Sequence, residues 1–115
     1  MSTPNADEIY SKILDAAEGA FKDGWGAVQN YAPAEFRKMA VQLESIAENV
    51  ARYELNPDEG YSPATGKLLF KMQRNACEAV LVAVTQLTLL AVQKALNAIV
   101  KVLKDAFKAA LGPIL

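Results

Sequence analysis

The sequence predicts an all-α protein, and three observations support this prediction. Apolar residues recur at steps of three and four over most of the 115-residue chain. Prolines and glycines separate the periodic segments. The alternation of polar and apolar residues that is typical of a half-buried strand is not apparent. A chain of this length has room for one core, so we expect residues 1–115 to form a single all-α domain.

The first two helices are predicted at about residues 5–30 and 34–55. Thr3 followed by proline is typical of a helix start, and an apolar stripe continues from there. The glycines on either side of Trp25 predict a bend or an early end, with the tryptophan as a packing anchor. Pro33 predicts the first turn of the second helix. The short connection predicts that the two helices form an antiparallel hairpin.

The third helix is predicted to be long, from about residue 63 to residue 111. It begins at Ser62-Pro63 and ends at Gly112-Pro113, and neither proline nor glycine interrupts it after Gly66. Such a helix spans about 72 Å, twice the length of either other helix. Because two shorter helices cannot cover it, we expect an oligomeric helical bundle. The alternative is a monomeric four-helix bundle in which this helix breaks near residues 85–88.

Residues 79–93 contain no charged side chain. A helix that is apolar almost all round must be covered on every side. The run is shorter than the roughly 20 residues of a membrane-spanning helix, so protein is the favoured cover. The predicted interface therefore lies within residues 79–111. Its candidate residues are the large apolar ones: Leu81, Val84, Leu87, Leu90, Leu96, Ile99, Leu103 and Phe107.

Charge is distributed unevenly along the chain. Residues 1–61 carry eleven acidic and five basic side chains, a net charge of −6, and residues 62–115 carry two acidic and seven basic ones, a net charge of +5. The overall charge of −1 argues against a nucleic-acid partner. Four lysines form a stripe on the last helix, which is typical of a membrane-surface helix and equally of a bundle helix with lysine stems along its edges. They are Lys94, Lys101, Lys104 and Lys108.

The residue types present argue against catalysis. The chain has no histidine and a single cysteine, Cys77, which excludes histidine-based triads and an intrachain disulfide. Glu44 and Glu48 have the spacing of a carboxylate metal pair, but such pairs are more typical of a solvated surface. We therefore expect no enzyme activity, no catalytic residue, no metal and no cofactor.

The expected function is that of a non-enzymatic protein that forms a dimer or tetramer with itself and acts by binding or scaffolding. The alternative is a protein that binds an anionic membrane or lipid surface through its C-terminal helix. The N-terminal residues lack the features of a secretory signal, so a cytoplasmic location is expected, with peripheral membrane attachment as the alternative.

Overall fold

The protein is described here by a computed structural model that covers residues 3–115, and these residues form helices and connecting turns. Helix makes up 83 % of them, no strand occurs within this range, and the predicted all-α class is confirmed. The helices are α1 (Ala6–Phe21), α2 (Trp25–Val28), α3 (Ala32–Leu55), α4 (Pro63–Val84), α5 (Leu89–Ala106) and α6 (Lys108–Leu111). Single 3₁₀ turns cover Lys22–Gly24 and Gly112–Ile114. Residues 1 and 2 of the predicted domain lie outside the described range.

The helix predicted over residues 5–30 is shorter and is interrupted. α1 ends at Phe21, and Lys22 takes a positive φ of 54° before the chain continues as α2. The predicted bend is therefore present near Trp25, whose ring centroid lies 6.3 Å from that of Phe21. The helix start was misplaced, because Asn5 rather than Thr3 caps α1, with its side-chain oxygen accepting a backbone N–H three residues later.

The single long helix predicted over residues 63–111 is wrong. α4 ends at Val84, and α5 begins at Leu89 after four residues without helical structure. The chain folds back there, as the contact of Arg74 on α4 with Asn97 on α5 demonstrates. The break falls at residues 85–88, where the four-helix alternative placed it.

Two threonine hydroxyls stabilise this break. Thr85 donates its hydroxyl to the carbonyl oxygen of Leu81 at 2.6 Å and accepts the N–H of Leu87 at 3.2 Å. Thr88 caps α5 by accepting the N–H of Ala91 at 3.1 Å. Short hydroxyl side chains compete with the helix for its own backbone groups, so neither proline nor glycine is required to end it.

The four long helices form a closed ring within one chain. α1 packs against α3 and α5, and α4 packs against the same two helices from the other side. The bundle measures 45 × 22 × 19 Å, far shorter than the helix predicted to extend over residues 63–111. The seam between α4 and α5 has much less extensive contact than the other three seams. The C-terminal turn Gly112–Ile114 packs against α4 beside this seam.

Candidate functional site

A groove of about 410 Å³ lies between α4 and α5, along the least tightly packed seam of the bundle. Its apolar lining includes Phe70, Val100 and Ile114, each of which is no more than 9 % exposed. Polar amides from both helices also line it, and Lys67 and Lys71 lie on the α4 side. The volume is within the range of small-molecule sites, which combine apolar walls with a few polar groups.

Arg74 joins the two walls of the groove. Its Nε donates to Glu78 at 3.4 Å, and its Nη2 donates to the side-chain oxygen of Asn97 and, at 3.5 Å, to the carbonyl oxygen of Gln93. The side chains of Arg74 and Glu78 are 20 % and 10 % exposed, so this ion pair is largely shielded from water. Glu78 is therefore neutralised by Arg74, whose Nε and Nη2 are engaged in hydrogen bonds.

Lys67 and Lys71 carry additional positive charge, which the Arg74–Glu78 ion pair does not balance. They lie one helical turn apart, both are exposed, and neither forms an ion pair with any residue between 3 and 115. The groove side chains carry three positive charges and one negative charge. The groove is therefore basic at its entrance and apolar inside.

The lysines predicted to face an anionic surface are all exposed. Lys94, Lys101 and Lys104 belong to α5, and Lys108 belongs to α6. The three on α5 share one side of that helix with Asn97, which lines the groove. The α5 lysines therefore flank Asn97, whereas only Lys67 and Lys71 of α4 line the groove itself.

The residues predicted as an interface are divided between the core and the surface. Four of them have no exposed area, because this chain's own helices cover them: Leu81, Leu96, Ile99 and Leu103. Leu87 and Phe107 are partly buried against the same core. Val84 and Leu90 remain exposed, at 43 % and 61 %. Contact with a second copy stays a prediction, and of the eight candidates these two present the most accessible side chains.

The order of the helices around the bundle places the acidic and the basic parts of the sequence on different sides. The acidic part of the chain forms α1 and α3, which are neighbours, and the basic part forms α4 and α5, which are also neighbours. Within the helices, α1 carries a net charge of −3 and α3 of −1, opposite a net charge of +2 on each of α4 and α5, so negative charge predominates on one side and positive charge on the other.

The Cys77 thiol and the Glu44 carboxylate both have structural surroundings. The Cys77 thiol is buried, and its burial, with Glu35 and Glu78 nearby, raises its pKa to about 12. A thiol that stays protonated at neutral pH is a poor nucleophile and metal ligand. Glu44 accepts the Ala6 N–H at 2.7 Å and so holds the start of α1. Within residues 3–115, no three histidine, cysteine or acidic residues are grouped as a metal would require.

The groove residues on α4 escaped the sequence analysis. Lys67, Lys71, Arg74 and Glu78 follow one another at steps of four, three and four, which places them on one side of a helix. That spacing was a visible signal, but its meaning depends on α5 folding back beside α4. A continuous helix would have kept the two lysine groups far apart.

Comparison with protein-family models, with curated proteins and with solved structures gave no match. Among the helices of residues 3–115, none has both the length and the apolar character needed to cross a membrane.

Proposed function

We propose that this protein is a non-enzymatic binding protein that attaches to anionic lipid surfaces through the side formed by α4 and α5. The observation that supports this most directly is that the two helices that form the groove both carry exposed lysines. Lys67 and Lys71 line the α4 side of the groove. Lys94 and Lys101 lie on the same face of α5 as Asn97, which lines the other side of the groove. Each lysine close to an anionic leaflet contributes about 1 kcal/mol of attraction.

Exposed leucines accompany these lysines. Leu68 is 59 % exposed and Leu90 is 61 % exposed. Each lies seven residues before a groove-lining asparagine, Asn75 or Asn97, and therefore faces the same side of its helix. Basic residues with a few accessible apolar side chains are typical of interfacial binding, because charge brings the protein to the surface and apolar groups enter it.

The acidic side supports a single orientation on such a surface. α1 and α3 carry most of the negative charge and lie opposite the basic helices. An anionic leaflet repels the acidic side and attracts the basic one, so the groove would face the lipid.

Vesicle flotation tests this proposal. We expect binding to vesicles of three parts phosphatidylcholine to one part phosphatidylglycerol, and little binding to pure phosphatidylcholine. The double variant Lys94→Glu and Lys101→Glu should weaken binding by about tenfold or more, because two attractive charges become repulsive. The control variant, Lys12→Glu and Lys22→Glu, makes the same charge change on the acidic side. Equal binding to both vesicle types, or equal loss in both variants, would contradict the proposal.

Self-association is a second candidate function, and the two-sided charge favours it. The basic side of one copy complements the acidic side of another, and such a head-to-tail contact closes into a ring, such as a tetramer, when the rotation between copies allows it. Sedimentation velocity should then give a mass above that of the monomer at low salt, with dissociation near 0.5 M salt, where charges are screened within about 4 Å. A monomer at every salt concentration would exclude this assembly.

A further inference from the structure

We infer that the groove between α4 and α5 binds one molecule of a single-tailed amphiphile, with its acidic head at Lys67 and Lys71 and its apolar tail inside. This site takes an individual ligand into the groove between two helices. It therefore goes beyond attachment to a lipid surface and does not depend on it.

The interior of the groove suits an apolar tail. Phe70, Val100 and Ile114 come from α4, α5 and the C-terminal turn, so three separate segments present apolar side chains to one space. The volume of about 410 Å³ lies at the small end of the range for ligand sites. A single tail would fill it, whereas the two tails of a membrane phospholipid exceed it.

The charges of the groove favour an acidic head. Glu78 and Arg74 balance each other, and Arg74 is held by Gln93 and Asn97 on the opposite wall. The uncompensated side-chain charges are those of Lys67 and Lys71. A cationic head would meet two like charges, and a neutral head would leave both lysines without a partner, so one anionic group is the complementary choice.

The probe for this site is sodium decanoate below its micelle concentration, followed by amide chemical shifts of the full chain. We expect saturable one-to-one binding, with shifts concentrated at residues 67–78 and 93–100. Acetate lacks the tail and decyltrimethylammonium has the opposite charge, so both should bind about tenfold or more weakly. Decanoate shifts that do not saturate, or that lie outside the groove, would overturn the inference, as would equal binding of decyltrimethylammonium.

Two charge-reversal variants separate this site from the lipid surface. Lys67→Glu with Lys71→Glu should raise the Kd for decanoate by about tenfold or more. The matched Lys94→Glu with Lys101→Glu should change that Kd by less than about threefold in physiological salt, because its lysines do not line the groove. All four positions are exposed, so both variants should fold, as circular dichroism would verify. Failure of decanoate to bind while vesicle binding persists would overturn this inference and leave the proposed function standing.

Discussion

At the scale of single residues, Cys77 demonstrates how burial controls chemistry. Its thiol has no exposed area, and Glu35 and Glu78 lie close enough to oppose a second negative charge. Both effects favour the protonated thiol and raise its pKa from 9.0 to about 12. The Cys77 thiol is therefore unreactive at neutral pH.

This pKa shift predicts a stability change in alkali. Between pH 9 and pH 12 the unfolded chain releases the thiol proton while the folded chain retains it, so the free energy of unfolding falls as pH rises through this window. Cys77→Ala removes this contribution, and the loss of stability above pH 9 should then be shallower than in the wild type. Urea denaturation at intervals from pH 8 to pH 11 measures the two slopes. Parallel slopes would contradict the shifted pKa.

The close packing around Gly66 predicts that a larger residue at this position would lower the stability of the protein. A Cβ atom there would lie 2.8 Å from Cγ2 of Ile46, 3.1 Å from Cγ2 of Ile114 and 3.2 Å from Cγ2 of Val50. Gly66→Ala should therefore lower the free energy of unfolding by about 1–3 kcal/mol through overpacking. Gly19, inside α1, has nothing within 4 Å of the same position, so Gly19→Ala should raise it by about 1 kcal/mol through helix propensity. Thermal denaturation of both variants checks that their free energies of unfolding change in opposite directions.

At the scale of helices, periodicity predicted α3 closely, because Pro33 and an uninterrupted apolar stripe define it. The break between α4 and α5 appeared only as an alternative, since the sequence there contains neither proline nor glycine. Its signal lies in Thr85 and Thr88, whose hydroxyls bind backbone groups that the helix would otherwise use. These hydrogen bonds are local. Whether they end the helix depends on which parts of the fold cover the neighbouring apolar residues.

Leu87 packs beside the break and helps to cover its apolar residues, so a substitution of Leu87 tests whether the break is present. Its side chain packs against the core beside Gly24, where an added Cβ would lie 3.1 Å from its terminal carbons. Leu87→Asp would place an unpaired carboxylate there and should cost about 2–4 kcal/mol of stability. Leu90→Asp, three residues on at a site 61 % exposed, should change stability by about 0.5 kcal/mol or less.

Urea denaturation followed by circular dichroism compares these two variants. The continuous helix predicted from the sequence would make both leucines equally buried and equally sensitive. The broken helix makes only Leu87 sensitive, so similar losses in the two variants would contradict the fold described for residues 85–88.

At the scale of the whole molecule, the charge asymmetry was visible in the sequence, but its geometry was not. The net charges of −6 and +5 depend only on residue counts. Their placement on opposite sides depends on α5 returning between α1 and α4 to close the ring. The groove has the same origin, because its two walls are separate parts of what the sequence presented as one helix.

Arg74 bridges α4 and α5 at the seam with the least extensive contact, so we expect its loss to cost more stability than the loss of an exposed arginine. Arg74→Met keeps the apolar stem but leaves Glu78, 8 % exposed, without its ion-pair partner, and should cost about 2–3 kcal/mol of stability. Arg37 forms an exposed ion pair with Asp7 at 2.6 Å, so Arg37→Met should cost about 1 kcal/mol or less.

Hydrogen exchange then locates the change. In Arg74→Met the amides of α4 and α5 that border the groove should exchange faster, because the two helices lose the guanidinium that spans them. The amides of α1 and α3, whose mutual contact is extensive and does not involve Arg74, should keep their protection until global unfolding. A uniform rise in exchange over all four helices would indicate that Arg74 stabilises the bundle generally, and equal losses in the two arginine variants would remove its special role at the seam.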